Sequence, residues 1–456
     1  MFYKYYSNIF FFMIVPIILN AQDHSIHKKW KLDGAEERIE KNRKGDLVLE
    51  FVFKDKINNK SKSSIQIDLK NHDFKFGVSF TQLRRFWGQD YGDLYLKRFK
   101  EVFNYATIGM YWQLTDERSN SKFIDNYYNG ILEWTKNNDI RVKGHPLMWH
   151  EAMPNWVRNY KNIDELDVII KNHMKRLIES YPQINDWDVY NEPIGPFKPH
   201  IPPSAITEWI KQKGGIYPAM VEIYEFVNNV NPNKNYSNNH YHAKDPEYFK
   251  INQFFIEKGL NFSSIGMQAH MQSNDNVMSE EQLWKQIEDY AVLGKNIQFT
   301  EITVTSSERF NNWKDHQVFL AKRDEVIANG GELDLVSKPE YEEYQSNYIN
   351  DFYTLAFSHP SVTSITFWNM TDKNAWRGHA GGLLFKDLKP KKAFNTLKYL
   401  IKEKWTTKIN TIIDSNEFKF NGFYGKYQGK ITINNTEYNF DFHHSKSNKK
   451  PIKIYL

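Results

Sequence analysis

The sequence has no cysteine among its 456 residues. Disulfide bonds, thiolate metal ligands and thiol redox chemistry are therefore excluded, and stability has to come from the packed core. Beyond the first twenty residues, the sequence also has no apolar run long enough to span a bilayer. We therefore expect no membrane span in the mature chain.

An excess of one sign of charge is also missing. The chain has 60 Lys and Arg against 55 Asp and Glu, a formal net charge of +5, and the two signs alternate along the sequence. Nucleic-acid binding is not indicated, and we expect a monomer. The tail with Lys446, Lys449 and Lys450 is interpreted as a solvated surface instead of a binding site.

Aromatic residues are abundant, with 13 Trp and 27 Tyr. Their flat faces stack on the apolar faces of sugars, and exposed aromatic side chains are often interaction residues. The same composition also suits an aromatic-rich core. Composition alone therefore leaves carbohydrate binding and core packing as alternatives.

The N-terminus is predicted to be a secretory signal peptide over residues 1–21. Lys4 precedes an apolar run at 9–19, and Ala21 closes a cleavage site. A buried first helix is the alternative, which Pro16 disfavours because it interrupts the run. After cleavage, the chain is expected to be secreted, periplasmic or at the cell surface.

Short apolar runs alternate with longer segments of helical period from about residue 74 onward. Eight strands are predicted, at 74–78, 106–110, 140–145, 186–192, 235–240, 264–270, 297–303 and 364–369. The alternation indicates repeated βα units, so the predicted fold class is α/β and the simplest architecture is a closed (β/α)8 TIM barrel. An open doubly wound sheet is the runner-up, but the glycine-rich turn expected after its first strand is missing from the FGVSF segment at 76–80.

Four regions are predicted along the chain. After the signal peptide come an N-terminal extension with strands at 22–73, the catalytic barrel at 74–405 and a β-rich appendage at 406–456. Segments 45–70 and 406–456 alternate polar and apolar residues, so we expect them to pair into one small sheet beside the barrel. Within the barrel, apolar residues at three- and four-residue steps predict a helix over 162–180.

The strongest chemical signal lies where the fourth and seventh predicted strands end. The fourth ends in Asn191 and Glu192, and the seventh ends in Glu301. Barrel active sites form at the C-terminal ends of strands, so closure would place both carboxylates at one mouth. Glycoside hydrolysis needs such a pair, one as a protonated acid and one as an ionised group on the opposite face of the sugar. A single strand-end Glu is more often a salt-bridge partner, but two of them favour catalysis.

Other polar and aromatic residues follow the third, sixth and eighth predicted strands. They are His145, Trp149, His150, Gln268, His270, Trp368 and Trp376. Such groups are costly to bury without partners or a ligand. His145, His150 and His270 could instead form a zinc site. The two glutamates already suit a metal-free mechanism, so we expect no metal and no cofactor.

Six groups of residues carry a family resemblance, in this order along the chain. They are KGHPLMWH at 143–150 with Pro154 and Trp156, WDVYNEP at 187–193, GMQAH at 266–270, Thr300-Glu301, FW at 367–368 with Thr371-Asp372, and LLF at 383–385 with Pro390-Lys391. Together they resemble glycoside hydrolase family 10, the retaining endo-β-1,4-xylanases. The resemblance extends from about Phe74 to about Trp405.

The resemblance implies a role for each matching residue. Glu192 would be the general acid/base and Glu301 the nucleophile, while Asn191 would hold the sugar 2-hydroxyl and His270 would orient Glu301. The subsite for that sugar would be lined by His145, Trp149, Gln268, Trp368 and Trp376. The implied activity is that of an endo-acting hydrolase of β-1,4-xylan or a related xylose-containing polysaccharide that works by double displacement. The predicted signal peptide indicates that this hydrolase is secreted.

Some positions depart from the family pattern. The loop after the second strand, at 107–112, lacks the usual Glu-Asn and Lys, and Thr303 stands where Asp is usual. A different β-glycan, for example an algal polysaccharide, is therefore one alternative. A non-catalytic carbohydrate-binding barrel is another, which the presence of both glutamates disfavours. The long loops at 194–203 and 305–336 are open to two interpretations, surface decoration or substrate contact.

Overall fold

The computed structural model describes residues 24–53, 63–119, 121–198 and 202–456. The predicted signal peptide lies outside these residues. The strands are β1 Lys44–Val52, β2 Ser63–His72, β3 Lys75–Ser79, β4 Tyr105–Gly109, β5 Arg141–His145, β6 Met148–Trp149, β7 Asp186–Asn191, β8 Asn235–His240, β9 Ser264–Met271, β10 Asn296–Val304, β11 Val362–Phe367, β12 Asn369–Thr371, β13 Gly382–Leu384, β14 Lys408–Ile413, β15 Glu417–Phe423, β16 Gly425–Ile433, β17 Thr436–His444 and β18 Ile452–Tyr455.

Helices follow most of the barrel strands. They are α1 Ala35–Arg43, α2 Asp90–Lys100, α3 Trp112–Thr115, α4 Lys122–Asn137, α5 Asn155–Arg158, α6 Ile163–Ser180, α7 Ala205–Gln212, α8 Ile216–Val230, α9 Pro246–Glu257, α10 Glu280–Ala291, α11 Trp313–Ala328, α12 Pro339–Ser358 and α13 Lys392–Tyr399. The helix predicted at 162–180 corresponds to α6, where the Asn162 side chain accepts a hydrogen bond from the Glu165 amide. Its apolar stripe is buried against the barrel.

The barrel is a closed ring of eight parallel strands, β3, β4, β5, β7, β8, β9, β10 and β11. The ring closes where β11 pairs with β3, as Ile365 does with Phe76, and β6 adds to β7 outside the ring. Parallel strands are covered on both faces, which explains why nearly every barrel position is buried. The predicted (β/α)8 fold is confirmed, and the open sheet is wrong.

The strands of the two flanking segments, β1, β2 and β14 to β18, form two sheets, not the single sheet expected from the sequence. One sheet has the order β15-β1-β18 and the other has the order β14-β2-β16-β17. Each strand carries one apolar face, so a single sheet would leave that face in water. Two sheets that share a core bury it, as Leu49 of the first sheet and Ile65 and Ile431 of the second show.

The two-sheet unit is attached to the barrel by packing and by hydrogen bonds. The Phe423 ring lies 6.4 Å from the ring of Phe357 on α12, and 5.5 Å from His72, which also contacts Phe76 of the barrel. The half-buried Arg43, at the end of α1, donates to backbone carbonyls around the end of α12. Among the described residues, no helix is both long and apolar enough to cross a membrane.

Candidate active site

A cavity of about 1640 Å³ opens at the C-terminal ends of the barrel strands. The nine residues predicted from the sequence as catalytic or substrate-binding all line it. They are His145, Trp149, Asn191, Glu192, Gln268, His270, Glu301, Trp368 and Trp376. Barrel closure therefore brings together side chains from strands that are far apart in the sequence.

Glu192 follows β7 in a left-handed backbone conformation, with φ of 59°. Its amide donates to the Asn239 carbonyl at 2.8 Å, which holds this unusual turn in place. The buried carboxyl accepts hydrogen bonds from Gln268 Nε2 at 2.9 Å and Trp149 Nε1 at 3.3 Å. Burial raises the pKa of Glu192 to about 8, and the nearby Glu301 also raises it, while the Gln268 hydrogen bond lowers it. Glu192 is therefore protonated at neutral pH.

Glu301 lies within β10 and is surrounded by polar groups. Its Oε1 accepts from Asn239 Nδ2 at 2.9 Å, and its Oε2 lies 3.2 Å from His270 Nε2. His145 Nε2 lies 3.8 Å from Oε1. The two carboxyls thus differ in environment, because these polar groups hold Glu301 in a fixed orientation.

The imidazole of His270 is held from both sides. Its Nδ1 lies 2.9 Å from the Thr303 hydroxyl, and its Nε2 contacts Glu301. Burial lowers the pKa of His270, although Glu301 acts in the opposite direction. The resemblance described above leads to an expectation of Asp at position 303, where this chain has Thr. Within the described residues, His270 therefore contacts one carboxylate, that of Glu301, and one hydroxyl, that of Thr303.

Asn239 links the two predicted catalytic strands. Its Nδ2 donates both to Glu301 and to Asn191 Oδ1 at 2.8 Å, and its own Oδ1 accepts from the Thr300 hydroxyl at 2.6 Å. Asn191 Oδ1 thus already accepts one hydrogen bond, and among the described residues no side chain accepts from the Asn191 amide nitrogen, which leaves that nitrogen able to donate to a ligand. This arrangement suits recognition of a sugar hydroxyl beside Glu301.

The carboxylate of Asp188 holds His145 in place. The carboxylate of Asp188 lies 2.8 Å from His145 Nδ1 and 2.6 Å from Lys143 Nζ, and it accepts from the Ser237 hydroxyl at 2.6 Å. Although burial opposes ionisation, Lys143 and His145 lower the pKa of Asp188 to about 2. An ionised Asp188 requires a proton on His145 Nδ1, which fixes the tautomer and the ring orientation.

Aromatic rings form the walls around the carboxyls. The Trp368 ring lies 5.8 Å from His145 and 6.1 Å from His270, and Trp376 lies 4.4 Å from His270. Tyr111 lies 5.8 Å from both His145 and Trp149. Flat rings around buried polar groups are typical of a carbohydrate site.

Sequence reasoning assigned no site role to several residues that line the cavity or hold its carboxyls. They include Tyr111, Asp188, Asn239, Trp313 and Arg377. Asp188 and Asn239 lie inside buried strands that contain several other polar residues, so no local signal in the sequence sets these two apart.

The segment at 305–336, which the sequence predicts as a loop, contains the helix α11. It lines the cavity, so substrate contact is the better of its two interpretations. Trp313 begins α11, and its amide donates to Asp275 Oδ2 at 3.0 Å. Arg323 of α11 is paired with Asp334 at 3.0 Å. Of the loop predicted at 194–203, residues 199–201 lie outside the described structure, and Gly195 packs against the His150 ring.

The three histidines of the zinc alternative do not converge. His145 and His270 both approach Glu301, whereas His150 stacks on Tyr190 with ring centroids 6.2 Å apart. In the described part of the chain, no group of three His, Asp or Glu side chains is arranged to hold a metal ion.

Several known proteins are similar to this chain in sequence. Endo-1,4-beta-xylanase B of Thermotoga neapolitana is 24% identical over 346 residues, which cover 72% of this chain and 89% of that protein. Anti-sigma-I factor RsgI6 of Acetivibrio thermocellus is 26% identical over 415 residues, 88% of this chain and 47% of that protein. This chain therefore spans about half the length of that relative.

A similar fold occurs in a solved structure. Xylanase 10B of Thermotoga petrophila RKU-1, in complex with xylobiose, is 20% identical with a TM-score of 0.57, and the match covers 73% of this chain and 95% of that one. The family model described as glycosyl hydrolase family 10 matches residues 67–400, which include the whole barrel. With this match and the paired carboxyls at the barrel mouth, the chain belongs to glycosyl hydrolase family 10.

Proposed function

We propose that this protein is a secreted hydrolase that cleaves internal bonds of β-1,4-xylan, or of a related xylose-containing polysaccharide, with retention of anomeric configuration. Glu192 is the general acid/base and Glu301 is the nucleophile. The observation that carries the proposal is the unequal environment of the two carboxyls: burial keeps Glu192 protonated near neutral pH, and three polar side chains orient Glu301. An acid beside a positioned nucleophile is what double displacement requires.

In the first step, a carboxylate oxygen of Glu301 attacks the anomeric carbon. Glu192 gives its proton to the glycosidic oxygen, the bond to the leaving chain breaks, and a glycosyl ester forms. Asn191 donates to the hydroxyl at carbon 2, where a hydrogen bond strengthens as positive charge develops. His270 and Asn239 hold Glu301 in line for attack.

In the second step, water replaces the sugar on Glu301. Once Glu301 is esterified, its charge no longer opposes ionisation of Glu192, so the pKa of Glu192 falls and it serves as base. Glu192 takes a proton from water, the water oxygen bonds to the anomeric carbon, and Glu301 leaves as a carboxylate. Both residues return to their starting protonation states.

The substrate assignment rests on the family and on the names of its members. The Thermotoga relatives named above are described as xylanases. The loop after β4 carries Tyr111 and lacks the usual charged and amide groups, so we expect binding on the non-reducing side to be weaker or tuned to a different sugar. A related β-glycan is therefore the second candidate. A non-catalytic carbohydrate-binding barrel is disfavoured, because both carboxyls are present here.

The test is a panel of purified plant and algal glycans, including undecorated and glucuronic-acid-bearing xylan. Product chromatography should show oligosaccharides of mixed length from xylan, because an endo-acting enzyme cuts internal bonds. Proton NMR of the first-formed reducing ends should show the β-anomer before mutarotation. Initial release of the α-anomer would contradict retention, and cleavage of a different glycan alone would contradict the substrate.

A further inference from the structure

Arg377 is a cation in the catalytic cavity with an unusual setting. It is half-buried, lines the cavity and has a left-handed backbone with φ of 60°. The carbon of its guanidinium lies 3.9 Å from the centroid of the Trp376 ring and 4.9 Å from that of Trp313. Trp376 follows β12, whereas Trp313 comes from the segment at 305–336. Two distant segments therefore hold one planar cation.

The guanidinium is free to bind a ligand. Within the described ranges, it makes no hydrogen bond and no ion pair with another side chain, whereas the nearby Arg323 and Lys386 are paired with Asp334. Burial lowers the pKa of Arg377 to about 10, which still leaves it charged at neutral pH. The carboxyls of Glu192, Glu151 and Glu301 favour the charge of Arg377 electrostatically, but none of them is hydrogen-bonded to it. The donors of a half-buried guanidinium are costly to leave without acceptors, and an anionic group of a ligand would supply them.

Arg377 lies close to the proposed binding position of the sugar at the cleaved bond. The Trp376 ring lies 4.4 Å from the His270 ring, and His270 Nε2 lies 3.2 Å from Glu301. Arg377 is thus one ring away from the group that orients the nucleophile. Its planar fork of donors matches the oxygens of a carboxylate or sulfate while its faces stay stacked on indoles.

We propose that Arg377, flanked by Trp313 and Trp376, forms a subsite for an anionic substituent on the substrate glycan. The substituent is a uronic-acid carboxylate or a sulfate ester on the reacting sugar or its neighbour. This inference rests on the proposed function, and it specifies the substrate class within it. The subsite also assigns a binding role to the segment at 305–336, because Trp313 of this segment supplies the second ring on which the guanidinium stacks.

The experiment compares Arg377→Gln with the wild type on three matched substrates: neutral xylo-oligosaccharides, the same oligosaccharides with glucuronic acid, and sulfated ones. The ratio of kcat/KM for acidic over neutral substrate should fall about tenfold or more, mainly through KM, since a hydrogen bond to a charged group is worth about that factor. Arg377→Lys keeps the charge but loses the planar fork, so it should fall in between. The acidic substrate that loses more identifies the substituent.

Two controls separate a specific contact from a general charge effect. Lys285→Gln removes an exposed lysine paired with Asp289 on α10 and should leave both rates unchanged. Lys373→Gln removes a cation that lines the same cavity over the Tyr91 ring, and it should change the ratio far less than Arg377→Gln. An equal change of the acidic-to-neutral kcat/KM ratio in Lys373→Gln and Arg377→Gln would contradict the subsite. An Arg377→Gln variant that shifts the pH profile equally for both substrates, without changing that ratio, would also contradict it.

A measurement on the wild type avoids dependence on the folding of any variant. Added salt should reduce the preference for the acidic substrate, because it screens the contact between Arg377 and the anion. A preference that is absent, or that salt does not alter, contradicts the subsite alone. Failure of the wild type to cleave any of the three oligosaccharides contradicts the proposed function instead.

Discussion

At the residue scale, the behaviour of Glu192 depends on a few contacts around one carboxyl. Burial opposes its ionisation, and donors from Gln268 and Trp149 favour it. With a pKa of about 8, Glu192 loses its proton as the pH rises through that value. The alkaline limb of kcat/KM should therefore lie near pH 8, since the acid is needed protonated in the free enzyme.

Trp149→Phe tests this dependence by removing one donor to Glu192. The ionised form of Glu192 loses a hydrogen bond, so the alkaline limb of kcat/KM should move to higher pH. The shift should be up to about one unit, because such a bond is worth about 1.5 kcal/mol and one pKa unit corresponds to about 1.4 kcal/mol. The pH dependence of kcat/KM on an aryl glycoside measures it. Trp156→Phe, which removes an indole donor bonded to Asp116, is the matched control and should leave the limb in place. A shift to lower pH in Trp149→Phe would count against the assignment.

The raised pKa of Glu192 also predicts an effect on stability. The folded pKa of about 8 exceeds the ordinary value of 4.5, so ionisation destabilises the fold as the pH rises from 4.5 to 8. Glu192→Gln removes this penalty, and its free energy of unfolding relative to the wild type should increase across that window and then level off. Urea unfolding at pH 5 and pH 8 checks the difference. Glu179→Gln, on the exposed surface of α6, should show no such trend, and the same trend in both variants would refute the explanation.

The predicted site residues share a position in the fold that can be recognised from the sequence. Asn191, Glu192 and Glu301 end or interrupt apolar strands, and the barrel rule states which end of a strand carries function. Asn239 and Asp188 orient these groups, but they lie within strands, where a single sequence does not tell a positioning residue from a structural one. Arg377 depends on a distant segment for its environment, so no local pattern indicates it.

At the element scale, the hydrophobic pattern of the sequence predicts where the strands lie, but it does not predict which strands pair with each other. Each of the eight barrel strands lies within about two residues of its predicted bounds. Alternation in the flanking segments predicted strands without saying that β1 would pair in parallel with β18 and antiparallel with β15. Pairing between strands hundreds of residues apart is set by packing of the complete chain, which alternation does not encode.

Arg43 shows how an element is attached by a group that no local pattern predicts. It ends α1 and donates to the carbonyls of Phe357, His359 and Val362, at 2.6, 2.5 and 2.7 Å. Arg43→Met would leave these carbonyls without their donor, so the free energy of unfolding should fall by about 3 kcal/mol or more. Chemical denaturation measures the change. Lys41→Met, exposed on the same helix, should change it by less than about 0.5 kcal/mol, and equal effects would contradict this role.

At the scale of the whole molecule, the barrel and the two-sheet unit should unfold together. Phe423 belongs to the two-sheet unit but packs into the barrel core, beside Phe357 and His72. Phe423→Ala should destabilise the chain by about 3 to 5 kcal/mol and keep one transition in calorimetry that coincides with loss of activity. Ile431→Ala, inside the two-sheet core, is the matched control and should lower the same single transition. Two separate transitions in the wild type would contradict this coupling.

The assignment of the two glutamates is the central claim, and burst kinetics on an aryl glycoside with a good leaving group tests it most directly. Glu192→Ala should still release the first equivalent of phenol, because a good leaving group needs no acid, and the glycosyl ester on Glu301 should then accumulate and be found by peptide mass mapping. Glu301→Ala should show neither a burst nor an adduct. Equal loss of the burst in both variants, or an adduct on any residue other than Glu301, would contradict the mechanism.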